Sequence, residues 1–103
     1  ARNASIISAN NANASGAGYA GLWANRTSII TANGANVTNA GDRNIYAEQG
    51  SIINARYADA SGTGINFYAD TGSFIAAHSA IGTSSNIAFN TLTNGGIIFK
   101  DPI

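Results

Sequence analysis

The chain has 103 residues, five Lys or Arg against five Asp or Glu, and a formal net charge of zero. Charged residues make up 10% of it, against about 25% in an ordinary soluble domain. That excludes a basic nucleic-acid module and a polybasic membrane-surface binder, and it leaves little repulsion to keep copies apart.

The chain opens with Ala-Arg-Asn-Ala and enters a repeat at once. The phrase Ser-Ile-Ile starts at Ser5, Ser28 and Ser51, becomes Ser-Phe-Ile at Ser73 and Gly-Ile-Ile at Gly96, in steps of 23, 23, 22 and 23 residues. The fifth position of each repeat holds Ala9, Ala32, Ala55 and Ala77, and the eighth holds Ala12, Ala35, Ala58 and Ala80. Later come Gly18, Gly41 and Gly64, then Leu22-Trp23-Ala24, Ile45-Tyr46-Ala47 and Phe67-Tyr68-Ala69. The fourth repeat blurs: Ile87-Ala88-Phe89 sits early, and Thr91-Leu92 fills the expected slot.

Ile, Thr, Tyr, Phe and Val favour a pleated surface, and Gly and Asn punctuate the chain every few residues. No stretch keeps an apolar 3.6-residue pattern, and a four-stranded propeller blade would need about twice the length. The expected fold is all-β: a single domain over 1–103, a parallel β-solenoid of about 4.5 coils, each strand about 4.8 Å from its counterpart. Ser51–Ala55 and Asn66–Ala69, with their equivalents, are the expected strands of each coil, and a short third passes through Ala58–Ala60. Ser15–Gly18 and Ser61–Gly64 are expected corners, because Gly accepts positive φ.

Side chains alternate along a strand. Ile7, Ile30, Ile53, Ile75 and Ile98 share the interior with the alanines, and the opposite face carries Ile6, Ile29, Ile52, Phe74 and Ile97. A strand apolar on both faces is normally covered on both, so these five are the expected self-association residues; the competing reading is a bend that turns both isoleucines inward. Trp23, Tyr46 and Tyr68 form an outward aromatic column that suits a subunit contact, a ligand such as glycan, or a ladder that only steadies the sheet. Strand edges at the solenoid ends pair with other chains. The early entry into the repeat and the apolar half coil Ile97–Ile103 leave two readings, caps removed with flanking sequence or end-to-end stacking, with Pro102 blunting one edge.

Chemistry-bearing residues are sparse. There is no Cys, and His78 is the one histidine, which leaves no triad, zinc site or cofactor motif to expect and no catalytic or metal residue to name. Glu48 and Asp70 fall at equivalent positions about 5 Å apart, a separation that suits a retaining glycosidase, but no cleft accompanies them and Arg26 falls within reach. They read as an exposed charged rung, and Asp59 is a third carboxylate to test. Asn-x-Ser/Thr triplets begin at Asn3, Asn13, Asn25 and Asn36; they would carry glycan only on an extracellular eukaryotic or archaeal protein.

At Gly50-Ser51-Ile52-Ile53-Asn54-Ala55, followed by Ala58-Asp59-Ala60-Ser61-Gly62, the chain resembles repeat segments of phage and prophage tail-fibre or tailspike-type parallel β-helix proteins. That resemblance implies an extracellular, protease-resistant rod, often trimeric and sometimes with glycan-cleaving carboxylates, and it carries over no functional residue. The leading expectation is a non-catalytic extracellular or cell-surface protein that polymerises into an amyloid-like filament, sheath or layer. The alternative is a homotrimeric virion tail segment that grips glycan. The expected partners are copies of itself, with no nucleic acid and no membrane insertion.

Overall fold

The computed structural model describes residues 1–82, the backbone of 87–89, and residues 95–99. It is an all-β solenoid of about four turns. Strands β1 (Ile6–Ser8), β3 (Ile29–Thr31), β5 (Ile52–Asn54), β7 (Phe74–Ala76) and β9 (Ile97–Phe99) form one parallel sheet in that order. Strands β2 (Ala20–Ala24), β4 (Arg43–Ala47), β6 (Ile65–Ala69) and β8 (Ile87–Phe89) form a second. The third side of each coil is a single parallel bridge, Asn13 to Asn36 to Asp59 to Ile81.

The register is the one the repeat dictates. Ile6, Ile29, Ile52, Phe74 and Ile97 stand in one column, and Trp23, Tyr46 and Tyr68 in another. The fourth coil departs from expectation. Ile87-Ala88-Phe89 pairs with Phe67-Tyr68-Ala69 and takes the place assigned to Thr91-Leu92. Those two residues, like Pro102 and the rest of 100–103, lie outside the described residues.

Each corner turns on backbone of positive φ. Asn3-Ala4, Arg26-Thr27, Gln49-Gly50 and Thr71-Gly72 precede the first strand of successive coils, with φ between 51° and 74°. Asn11, Gly34, Tyr57 and Ser79 repeat the same conformation just after that strand.

The interior is narrow and is filled column by column. Ile30, Ile53 and Ile75 meet Ile45 and Phe67 across it, with Ala32, Ala55 and Ala77 between. Side-chain volumes are matched from coil to coil. A Cβ on Gly21 would lie 2.3 Å from Val37 Cγ1, and one on Gly82 would lie 2.5 Å from Phe67 Cε2. Between these, the wholly buried Asn44 accepts the Ala40 N–H at 2.8 Å and donates to Ala60 O at 2.6 Å.

A buried serine column runs through the same interior. Ser28 N–H donates to Ser51 Oγ, and Ser51 N–H donates to Ser73 Oγ, each at 3.1 Å. Ser28, Ser51 and Ser73 are all buried, so the Ser51 and Ser73 hydroxyls each satisfy a donor that water cannot reach, while the Ser28 hydroxyl donates to Asn25 O at 2.7 Å. Replacing Ser51 with Ala orphans the Ser28 N–H and is expected to cost about 1–3 kcal/mol. Ser5→Ala, at an exposed site where the hydroxyl only donates to Arg2 O, is expected to cost less; urea unfolding of the two variants makes the comparison.

Candidate association surface

Alternation in the five-stranded sheet puts Ile7, Ile30, Ile53, Ile75 and Ile98 on the inner side and Ile6, Ile29, Ile52, Phe74 and Ile97 on the outer. Ile30, Ile53 and Ile75 are buried, while Ile6 is 75% exposed and Ile52 43%; Ile7, in the outermost described coil, departs from the expected interior and is 42% exposed. Ile97 is also exposed, and Ile29 and Phe74 are half-buried by their neighbours in the column. No bend turns the outer isoleucines inward. The five form one unbroken apolar stripe.

At its lower end the stripe is extended by aromatic rings. Phe74 and Phe99 meet at 5.1 Å between centroids, and His78 stacks on Phe99 at 6.1 Å and 12°. His78 is exposed.

The second sheet carries a continuous aromatic ladder, but not an open one. Trp23 stacks on Tyr46 at 5.6 Å and 16°, and Tyr46 meets Tyr68 edge-on at 5.2 Å. Trp23 is 40% exposed and Tyr46 only 7%. The cover is Arg43, whose guanidinium carbon lies 4.5 Å from the centroids of both Tyr46 and Tyr68 and 5.5 Å from that of Tyr19. Its Nη1 donates to Tyr19 Oη and to Asp42 Oδ2. Tyr19 in turn packs on Trp23 at 5.3 Å. Beside Trp23, the Ala1 ammonium donates to Trp23 O at 2.7 Å; burial, and to a lesser degree the charge of Arg2, lowers its pKa.

Arg43, and with it the contact to Tyr19, escaped the sequence reading because strict alternation fails in β4. Asn44 and Ile45 are adjacent and both buried. That double inward step brings Arg43 to the same outer side as Tyr46, three residues on.

The candidate carboxylates are held locally. Glu48 Oε1 accepts Asn25 Nδ2 at 3.1 Å, and Asp70 Oδ1 accepts the Thr71 N–H at 2.8 Å. Arg26 does not join them: its Nη1 donates to Asn3 Oδ1 at 3.2 Å, and Arg43–Asp42, at 2.7 Å, is the ion pair found among the described residues. Asp59 Oδ1 accepts both the N–H and the hydroxyl of Ser61, at 3.0 and 2.6 Å. Asn13 does the same for Ser15, and Asn36 for Thr38. Two of the four Asn-x-Ser/Thr triplets are therefore turns that close the third side of a coil, and Asp59-Ala60-Ser61 builds the identical turn where no glycan acceptor exists. Among the described residues no three His, Asp or Glu side chains gather as a metal site would require.

No protein-family model, curated protein or solved structure matches the chain. The surface has to be read from its own chemistry.

Arg43 touches two rings at close range, while its carboxylate partner is 46% exposed. Cation–π contact shielded from water outweighs an ion pair open to it. Arg43→Ala is expected to destabilise by about 1–3 kcal/mol, with a change in the fluorescence of Trp23, and Asp42→Asn by less than about 1 kcal/mol. Denaturant titration followed by that fluorescence checks both.

Proposed function

We propose that this chain is a non-catalytic structural module whose copies associate through the outer face of the five-stranded sheet and stack coil on coil at its outer strands, building a filament, sheath or surface layer outside the cell. The observation that carries this reading is the uninterrupted column of Ile6, Ile29, Ile52, Phe74 and Ile97, in register across all five strands and without a charge among them. Patches of this kind mark association surfaces.

Magnitudes favour a polymer over an isolated pair. Five strands of three residues outline a face about 10 Å wide and about 20 Å tall, or about 200 Å². A stable interface needs about 800 Å² from each partner. Covering the stripe recovers only part of the ~1.5–3 kcal/mol per side chain, because several are already half-buried, and association costs about 4–15 kcal/mol in lost freedom. Stacking copies end to end lengthens the stripe, so sideways contact strengthens as the stack grows. Among the described residues β1 and β9 are the outer strands of the sheet, and strand edges carry the donors and acceptors such stacking uses.

Ile6 and Ile52 are exposed enough to change without disturbing the core. Ile6→Lys with Ile52→Lys is expected to abolish concentration-dependent growth in light scattering while leaving thermal unfolding within a few degrees of the parent. Unchanged growth would remove the stripe from the account. A discrete trimer in place of growth would favour the tail-fibre alternative.

A further inference from the structure

The second coil carries Asn33-Gly34 at the corner that follows β3. The equivalent pairs are Asn10-Asn11, Arg56-Tyr57 and His78-Ser79, so at these corners only Asn33 precedes a glycine. The other Asn-Gly pair of the sequence, Asn94-Gly95, has its asparagine outside the described residues. A glycine nitrogen has no side chain beside it to obstruct attack on the preceding amide. The Gly34 nitrogen can attack Asn33 Cγ: the N–Cγ bond forms, the Cγ–Nδ2 bond breaks, and ammonia leaves with the proton that the nitrogen gives up. Water then opens the cyclic imide at either carbonyl and leaves aspartate or isoaspartate at position 33. Water is the one co-reactant, and it reaches the corner, where Asn33 is half-buried and Gly34 exposed.

The stacked coils withhold this reaction. Asn33 O accepts the Asn11 N–H of the first coil, and the Gly34 N–H donates to Arg56 O of the third, each at 2.9 Å. One planar peptide group is thus tied at both ends to opposite neighbours. Its plane is not free to turn toward Cγ, and the proton that must leave is held by Arg56 O. The Asn33 N–H is tied as well, to Asn10 Oδ1 at 2.9 Å. The amide oxygen of Asn33 is buried and accepts no hydrogen bond among the described residues, so no donor stands ready for the oxyanion that attack creates. All three bonds run between coils and exist only while the coils are stacked.

We propose that Asn33-Gly34 is a site of spontaneous deamidation that coil stacking holds closed and that separation of the second and third coils opens. The change is one-way. Isoaspartate carries the main chain through the side-chain carbon and lengthens it by one atom, so Asn33 O and the Gly34 N–H no longer meet both partners in register. Either product also adds a negative charge to a chain whose formal net charge is zero. The inference concerns a single chain and does not rest on the association proposed above.

The test incubates the whole chain in one mildly alkaline buffer, folded and in guanidinium chloride beyond its unfolding transition. Mass spectrometry of the tryptic peptide 27–43 follows the deamidated product, isoaspartyl methyltransferase labelling marks isoaspartate, and NMR reads hydrogen exchange of the Gly34 N–H in parallel. Deamidation at position 33 is expected to be at least about tenfold slower in the folded protein, and to quicken in step with Gly34 exchange as denaturant rises below the transition. Asn33→Gln, whose longer side chain cyclises far more slowly, is expected to remove the product and so distinguish it from reaction at Asn36 or Asn39 of the same peptide. A folded rate within about twofold of the unfolded one overturns the inference. So does a folded rate that does not follow Gly34 exchange, or a product that persists in Asn33→Gln. Protein aged in denaturant and refolded is expected to melt several degrees below protein taken quickly through the same steps; equal melting overturns the one-way change.

Discussion

The structure depends on one constraint: each coil satisfies its backbone hydrogen bonds on the neighbouring coils in fixed register. Ile29 N–H goes to Ser5 O, Ile52 N–H to Ser28 O, Phe74 N–H to Ser51 O and Ile97 N–H to Ser73 O, at 2.9–3.0 Å. Whatever occupies a column must therefore tolerate its own equivalent about 4.8 Å away. Serines meet the constraint by accepting a neighbouring serine's N–H, and the Asn13, Asn36 and Asp59 turns meet it by closing on themselves. Inside, Gly21 faces Val37 and Gly82 faces Phe67, so bulk in one coil is matched by its absence in another. A slip of one residue would turn the isoleucines of the interior out and those of the stripe in, and these matched volumes oppose it.

What the sequence revealed follows from the same constraint. A column repeats as a phrase, so Ser-Ile-Ile at a 22–23-residue spacing gives the first sheet and its register, and Leu22-Trp23-Ala24, Ile45-Tyr46-Ala47 and Phe67-Tyr68-Ala69 give three strands of the second. Alternation placed Ile52 outside and Ile53 inside. The reading failed where geometry is local. The double inward step at Asn44 and Ile45 hid Arg43 above the tyrosines. The early Ile87–Phe89 displaced Thr91-Leu92 because parallel pairing, not residue count, sets which segment stacks. The Asn-x-Ser/Thr triplets resembled glycan acceptors because a turn that uses Asn to hold a hydroxyl two residues on has the same spelling.

The outer surface divides accordingly. On the second sheet, Arg43 and the aromatic ladder satisfy one another and leave a side that is largely self-contained. On the first, none of the described residues covers the stripe, and its small footprint makes any single contact weak. The two sides suit a module whose association is graded by length: slight between single copies and strong between stacks. The near-absence of charge fits the proposed association, since no long-range repulsion opposes close approach.

The most direct measurement is electron microscopy and fibre diffraction of the protein as isolated, without denaturant. The account predicts ordered filaments or sheets with a repeat near 4.8 Å along the stack. Discrete single-chain particles at every concentration would contradict it.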